Sequence, residues 1–493
     1  MTEQAGPTTI AEGFRAVVEA QPDAPAVIAA DITLSNLKLW QLSCSFAFRM
    51  HKEDIGPGTT VALHTTDLIA SLATMLASAM LGARFETLED VLWEVPSVRP
   101  SHVLRTPEAP PLSGISSIEI DATWSPRFAP PEAVTFAPPS PPDPDAPWWI
   151  IHTSGTTGRP KFMQLGQRAI VARSYAVRND FVPGRTVLCS LFVCTARPFF
   201  VRATAALLNG CPIVDTVDPA FMRAHGVTLV CGAPLQTLAW LDGRVLAPKL
   251  PRLQVSGTRL SDAQAEALLQ SFDVVEDVYG ASETNKSFVN LKSLEDGRVV
   301  STGKPCDSEV QIIGPSFEPC APGEIGTVRV RNGYMAPGYI DAPEATARAF
   351  QDGWFLPGDY ASWGPRGDLR IEGRVDEVIN LGGQKLHPSI VDAALAEAAG
   401  VTEAVCFRDP DPATAPGLAA FLVVAPGVDP DRAAQEAHDA CTARLGPLFT
   451  PARIYVVQAI PKTFDGIPRR SECQRLALDI ARQVPINLSP QPR

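Results

Sequence analysis

At 493 residues the chain exceeds what one compact core supports, so two or more domains are expected. Forty-five per cent of the residues are apolar and 19% charged, which excludes a disordered chain; the net charge of -12 argues against a nucleic-acid binder, which needs a basic face. An anionic ligand stays open, because clustered backbone N–H groups bind phosphate inside an acidic protein.

The N-terminal run MTEQAGPTT has neither the basic nor the apolar region of a secretory signal. Ten scattered cysteines contain no C-x-x-C pair, the closest being Cys189 and Cys194, so reduced thiols packed as small hydrophobes are expected. Residues Ile10 to Leu81 alternate helical patterns with extended runs at Ala26–Ile28 and Thr60–Leu63, an α/β signature. The most apolar stretch, Leu68–Leu81, contains Ser71, Thr74 and Ser78 and is shorter than the ~20 residues of a bilayer span. It predicts a buried helix. No membrane partner and a cytoplasmic location are therefore expected.

Residues 106–147 are dense in proline, which lacks the ladder N–H and disfavours helix before it, and predict an irregular surface connection. From Trp148 the run WWIIHTSG reads as an apolar strand entering a glycine-bearing loop. Strands at Thr186–Leu191, Thr228–Cys231 and Leu253–Val255 alternate with helices up to about Val278. Between Val299 and Tyr339, short strands broken by Gly and Pro predict a β-rich subdomain. Beyond Gly373 a helix at Ile390–Ala398 and strands at Glu403–Phe407 and Ala419–Val424 predict a small α+β domain. The expected fold class is α/β, with a large N-terminal domain of several subdomains over residues 1–374 and a small mobile C-terminal domain over 375–493.

The sharpest local signal is Thr153-Ser154-Gly155-Thr156-Thr157-Gly158-Arg159-Pro160-Lys161. Glycines let the backbone turn tightly and expose consecutive N–H groups, the hydroxyl residues add donors, and Lys161 supplies a positive point charge. Such a loop suits a triphosphate, although no Gly-Lys-Ser/Thr of the Walker pattern ends it. The string resembles the phosphate loop of the acyl-CoA synthetase, nonribosomal-peptide adenylation and luciferase superfamily. Further stretches match that superfamily in order: Val278-Tyr279-Gly280-Ala281-Ser282-Glu283-Thr284, then Asp352-Gly353-Trp354-Phe355-Leu356-Pro357-Gly358-Asp359. Gly373-Arg374-Val375-Asp376-Glu377 with Gly382-Gly383-Gln384-Lys385, and Pro461-Lys462-Thr463 with Gly466, complete the series.

The resemblance implies a role for each motif. Thr153, Ser154, Gly155, Thr156, Thr157, Gly158 and Lys161 would hold the phosphates of ATP, with Lys161 also catalytic. Tyr279, beside Gly280, would stack on adenine, and Ser282 keeps a hydroxyl where threonine is usual. Glu283 would hold Mg²⁺ against the phosphates and so act in catalysis. Asp359 would accept hydrogen bonds from the ribose hydroxyls, with Arg374 beside it, and Asp376 would be the hinge of the C-terminal domain. Gly382 and Gly383 would border a pantetheine tunnel if the acceptor is a thiol. The acid pocket corresponds to Phe192-Val193-Cys194-Thr195 and Ser256-Gly257-Thr258-Arg259; Thr258 stands where a second glycine is common, which favours a small or short acid.

One departure matters. The final motif of the superfamily ends in a lysine that bridges the carboxylate and the α-phosphate, and Ile467 stands in its place. An aliphatic side chain supplies neither a hydrogen bond nor a charge, so an engineered change, another cation such as Lys462 or Arg469, or lost adenylation all remain open. The leading expectation is an ATP- and Mg²⁺-dependent ligase that forms an acyl-adenylate and passes it to coenzyme A or a carrier-protein thiol. Activation of an atypical acid such as nitrite with an amine acceptor, or a nucleotide-binding pseudoenzyme, are the alternatives.

Overall fold

The computed structural model describes residues 6–87, 95–112, 114, 116–153, 161–381, 384–411, 417–462 and 468–483. They form two compact units. Met1–Val310 with Arg329–Pro357 and Arg366–Asp368 make the first; Gln311–Val328 with Gly358–Pro365 and Leu369–Arg493 make the second. The fold is mixed α/β with a large N-terminal and a small C-terminal domain.

The first unit contains two large sheets. One has nine strands in the order Arg298–Pro305, Asn285–Glu295, Phe272–Ala281, Leu250–Val255, Leu229–Gly232, Leu188–Ser190, Ile213–Val214, Pro25–Ile28, Thr33–Ser35. Its six inner strands run parallel and its edges antiparallel. Parallel strands buried on both faces read as continuous apolar runs; Leu229–Gly232 is buried at every position. The second sheet has six strands in the order Ile118–Glu119, His102–Arg105, Thr60–His64, Arg84–Thr87, Pro147–Thr153, Lys161–Gly166. Leu68–Leu81 is a helix at the bounds its apolar run predicts, capped by Asp67, which accepts from the Ala70 N–H at 2.9 Å, and ended by Gly82 at φ 68°.

Aromatic packing fixes the strand that leads into the phosphate loop. Trp148 and Trp149 are buried, and the Phe200 ring lies 6.2 Å from Trp149 and 5.1 Å from Phe85, edge-on in both cases. The proline-dense connection is largely irregular, as composition predicts, but it is anchored. Trp124 is buried with its ring 5.1 Å from Phe46, and Phe136 packs 5.7 Å from Phe48. The strand predicted at Thr186–Leu191 is shorter because the Thr186 hydroxyl donates to the Asp180 carbonyl and accepts from the Val182 N–H, which closes a turn.

In the second unit, strands Val401–Arg408, Leu418–Val424 and Arg453–Val456 form one sheet around the buried Phe407 and Phe421, whose rings are 4.9 Å apart. The helix predicted at Ile390–Ala398 runs from Pro388 to Leu395, with Pro388 in the first turn, where its missing N–H costs nothing. Arg470, at the start of the Arg470–Gln483 helix, ties this unit together. It pairs with Asp392 at 2.5 Å and Glu377 at 3.3 Å and donates to the Cys406 carbonyl at 2.6 Å.

All ten cysteines are free thiols. Burial pushes the Cys189 thiol up to about 12, as befits a small hydrophobe rather than a nucleophile. Among the described residues no helix is long and apolar enough to cross a membrane.

Candidate active site

Of the phosphate-loop residues, Ser154, Gly155, Thr156, Thr157 and Gly158 lie outside the described residues, as does the side chain of Thr153. The strands that flank them are antiparallel, with Thr153 opposite Lys161. Lys161 meets a residue that no motif in the sequence singled out. The Ile340 N–H donates to the Phe162 carbonyl at 2.7 Å, which sets Tyr339 beside the Lys161 strand, with Lys161 Nζ 5.1 Å from the Tyr339 ring centroid. Gly338 makes this approach possible: at φ +149° a Cβ there would sit 2.5 Å from Thr346 Cγ2.

Tyr339 then reaches Glu283. Its hydroxyl donates to Glu283 Oε1 at 2.6 Å, and Glu283 is only 6% exposed. The Glu283 backbone is held as firmly: its carbonyl accepts from Arg173 Nη2 and from the Ala336 N–H, both at 2.8 Å. Arg173 also donates to the carbonyls of Ser282 and Tyr334. Burial, with the Arg197 charge second, pulls its guanidinium down to about 9, and these three carbonyls offset the desolvation. Tyr339 and Arg173 thus hold Glu283 in place, and no motif revealed them. The available signals were a Gly-Tyr pair in the β-rich segment and an arginine among the buried positions of the Gln167–Ala176 helix.

Tyr279 is half-buried on the Phe272–Ala281 strand, opposite Phe288. Gly280 must be glycine, since a Cβ there would lie 2.1 Å from the Asn285 carbonyl oxygen. Two residues before the tyrosine, burial raises Asp277 to about 6 against the lowering charges of Lys292 and Arg259.

In the second unit, Asp359 and Arg374 face each other across an antiparallel pair, and their side chains bond at 3.0 Å. Arg374 Nε also meets Asp376 Oδ1 at 3.2 Å. Burial opposes the Arg374 charge, and the two aspartates outweigh it, so its pKa is raised. Gly358 holds φ +81° next to the guanidinium. Lys462 is committed to Glu403 at 2.6 Å, while Arg469 is exposed and lies 3.6 Å from Glu472. Ile467, Gly382 and Gly383 lie outside the described residues.

Comparison with known proteins supplies the family. The profile of the AMP-binding enzyme family matches residues 14–340, and that of the AMP-binding enzyme C-terminal domain matches 391–466. The chain belongs to this family. As an AMP-binding enzyme it is an adenylate-forming ligase that activates an acid with ATP. It is similar to the sulfoacetate–CoA ligase of Cupriavidus necator, at 31% identity over 344 residues and 67% of each chain. It is also similar to novobiocin biosynthesis protein H of Streptomyces niveus, at 26% over 511 residues, 93% of this chain and 81% of the other. Among solved structures, the amide bond synthetase McbA from Marinactinospora thermotolerans matches with a TM-score of 0.77 at 20% identity, over 95% of this chain and 99% of that one. The O-succinylbenzoate coenzyme A synthetase of Bacillus subtilis matches with a TM-score of 0.77 at 19%, over 93% and 97%. At these identities the two structures speak for the fold alone.

Proposed function

We propose that this AMP-binding enzyme joins an acid to ATP as an acyl-adenylate, releasing pyrophosphate, and passes the acyl group to the thiol of coenzyme A or of a carrier protein. The observation that carries the reading is the Lys161–Tyr339–Glu283 chain, which sets the loop lysine and the motif carboxylate on one aromatic ring. In this reading Lys161 and the loop before it bind the phosphates, and Tyr279 stacks on adenine. Asp359, with Arg374 beside it, accepts the ribose hydroxyls, and Asp376 is the hinge between half-reactions.

Among the described residues no three His, Cys, Asp or Glu side chains gather as a metal cluster. A single carboxylate fits Mg²⁺ all the same, because this ion takes one or two carboxylates together with substrate phosphates and water. Glu283 would hold it. The ion, when bound, offsets charge as pyrophosphate departs. Relatives named as CoA ligases support the thiol acceptor. Ile467, where the superfamily has a lysine, favours a second reading in which an atypical acid such as nitrite is activated for an amine. AMP release measured over carboxylates, amino acids and nitrite, with coenzyme A or an arylamine, separates the two. Thioester formation with a carboxylate is expected; AMP release with nitrite and amine alone would replace the first reading by the second.

A further inference from the structure

The Arg197–Leu208 helix carries Arg202 with 9% of its surface exposed. One Nη donates to Ser256 Oγ at 3.0 Å, and the other donates to the Pro198 carbonyl at 3.0 Å, one helical turn back. The guanidinium carbon is 5.4 Å from the centroid of the Phe192 ring. Phe192 and Ser256 open the two segments that the family resemblance implies for the acid pocket, and Arg202 is a side chain that touches both.

The partners of Arg202 satisfy its shape and leave its charge. The Pro198 carbonyl and the Ser256 hydroxyl are neutral, as is the buried Cys231 thiol that the guanidinium also meets, no carboxylate among the described residues pairs with it, and its buried Nε has no oxygen or nitrogen acceptor among them. Burying a charge that no carboxylate pairs is costly, and an aliphatic residue at this buried position would avoid that cost. The location is informative too. Ser190, Gly232 and Val255 end neighbouring parallel strands of the nine-stranded sheet. Ligands of open α/β sheets bind in the crevice beyond such carboxyl ends.

We propose that Arg202, oriented by Ser256, receives a second anionic group at the far end of the acid, so that the preferred substrates carry two anionic groups, one activated and one recognised. This rests on the acid-activation reading above. A guanidinium presents a planar fork of donors that matches an oxyanion in two-point fashion, which a lysine in its place would not do. Carboxylate and sulfonate share the chemistry, and the test separates them.

The test measures AMP formation by the full-length enzyme in two isosteric series. Butyrate is compared with succinate and 3-sulfopropionate, and benzoate with terephthalate and 4-sulfobenzoate. In at least one series the dianion is expected to exceed the monoanion in kcat/KM by about tenfold or more. Arg202→Met should abolish that preference through KM, Arg202→Lys should restore part of it, and Ser256→Ala should weaken it less than Arg202→Met. Preference for the monoanion in both series, or an equal loss on both members in Arg202→Met, overturns the inference while leaving acid activation intact. Silence towards these acids and the wider panel, from enzyme that binds ATP, overturns the activation reading and this inference with it.

Discussion

Glu283 and Asp359 are both motif carboxylates, yet the protein holds them in opposite ways. Glu283 is buried and held by a neutral hydroxyl, while the arginine near it binds its backbone carbonyl instead of its carboxylate. Asp359 is bonded directly to a guanidinium. A carboxylate that no cation bonds directly is suited to a hard cation. One already neutralised by arginine is left with acceptor capacity for neutral hydroxyls. The difference teaches that the partner, more than the carboxylate, sets what each can bind, and it is consistent with the proposed division of metal-holding Glu283 from ribose-holding Asp359.

That contrast can be broken by mutation. The largest effect is expected for Glu283→Gln, which keeps the shape and removes the charge. AMP formation should slow on the order of 10²–10³-fold under single-turnover conditions, with ATP affinity changed far less. Next comes Asp277→Asn, a control carboxylate that burial raises to about 6. A raised carboxyl pKa favours folding below the unfolded value near 4, and that contribution is lost as pH climbs through about 6. The amide that replaces the carboxyl cannot ionise, so the variant should gain up to about 3 kcal/mol in denaturant melts at pH 7 and nothing at pH 4. An equal change at both pH values would deny the burial effect.

Asp359→Ala should weaken ATP binding by about 1–3 kcal/mol in calorimetric titration, and unaltered affinity would remove the ribose assignment. Tyr339→Phe is expected to have the smallest effect. Losing one hydroxyl should cost about 1 kcal/mol, read as a several-fold drop in AMP formation that rising Mg²⁺ partly recovers.

The two carboxylates also differ in how legible they were. Asp359 and Arg374 sit fifteen residues apart on adjacent strands, so local motifs with glycines at their turns contain the whole pair. Glu283 finds Tyr339 across 56 residues and Arg173 across 110, and such long-range partners leave no local periodicity. The same rule holds for the fold. Leu68–Leu81 was readable to its ends because the apolar run itself sets them, and the structure caps it there with Asp67 and Gly82. The aromatic anchors of the proline-dense connection were not, since composition carries no record of what Trp124 packs against.

The central claim is that this chain makes an adenylate from an acid and ATP, with Glu283 as the metal-holding group. Acid-dependent exchange of labelled pyrophosphate into ATP measures that step without any acceptor. The account predicts exchange that requires Mg²⁺ and an acid and falls at least a hundredfold in Glu283→Gln. Exchange that persists undiminished in that variant, or its absence with every acid from enzyme that binds ATP normally, would contradict it.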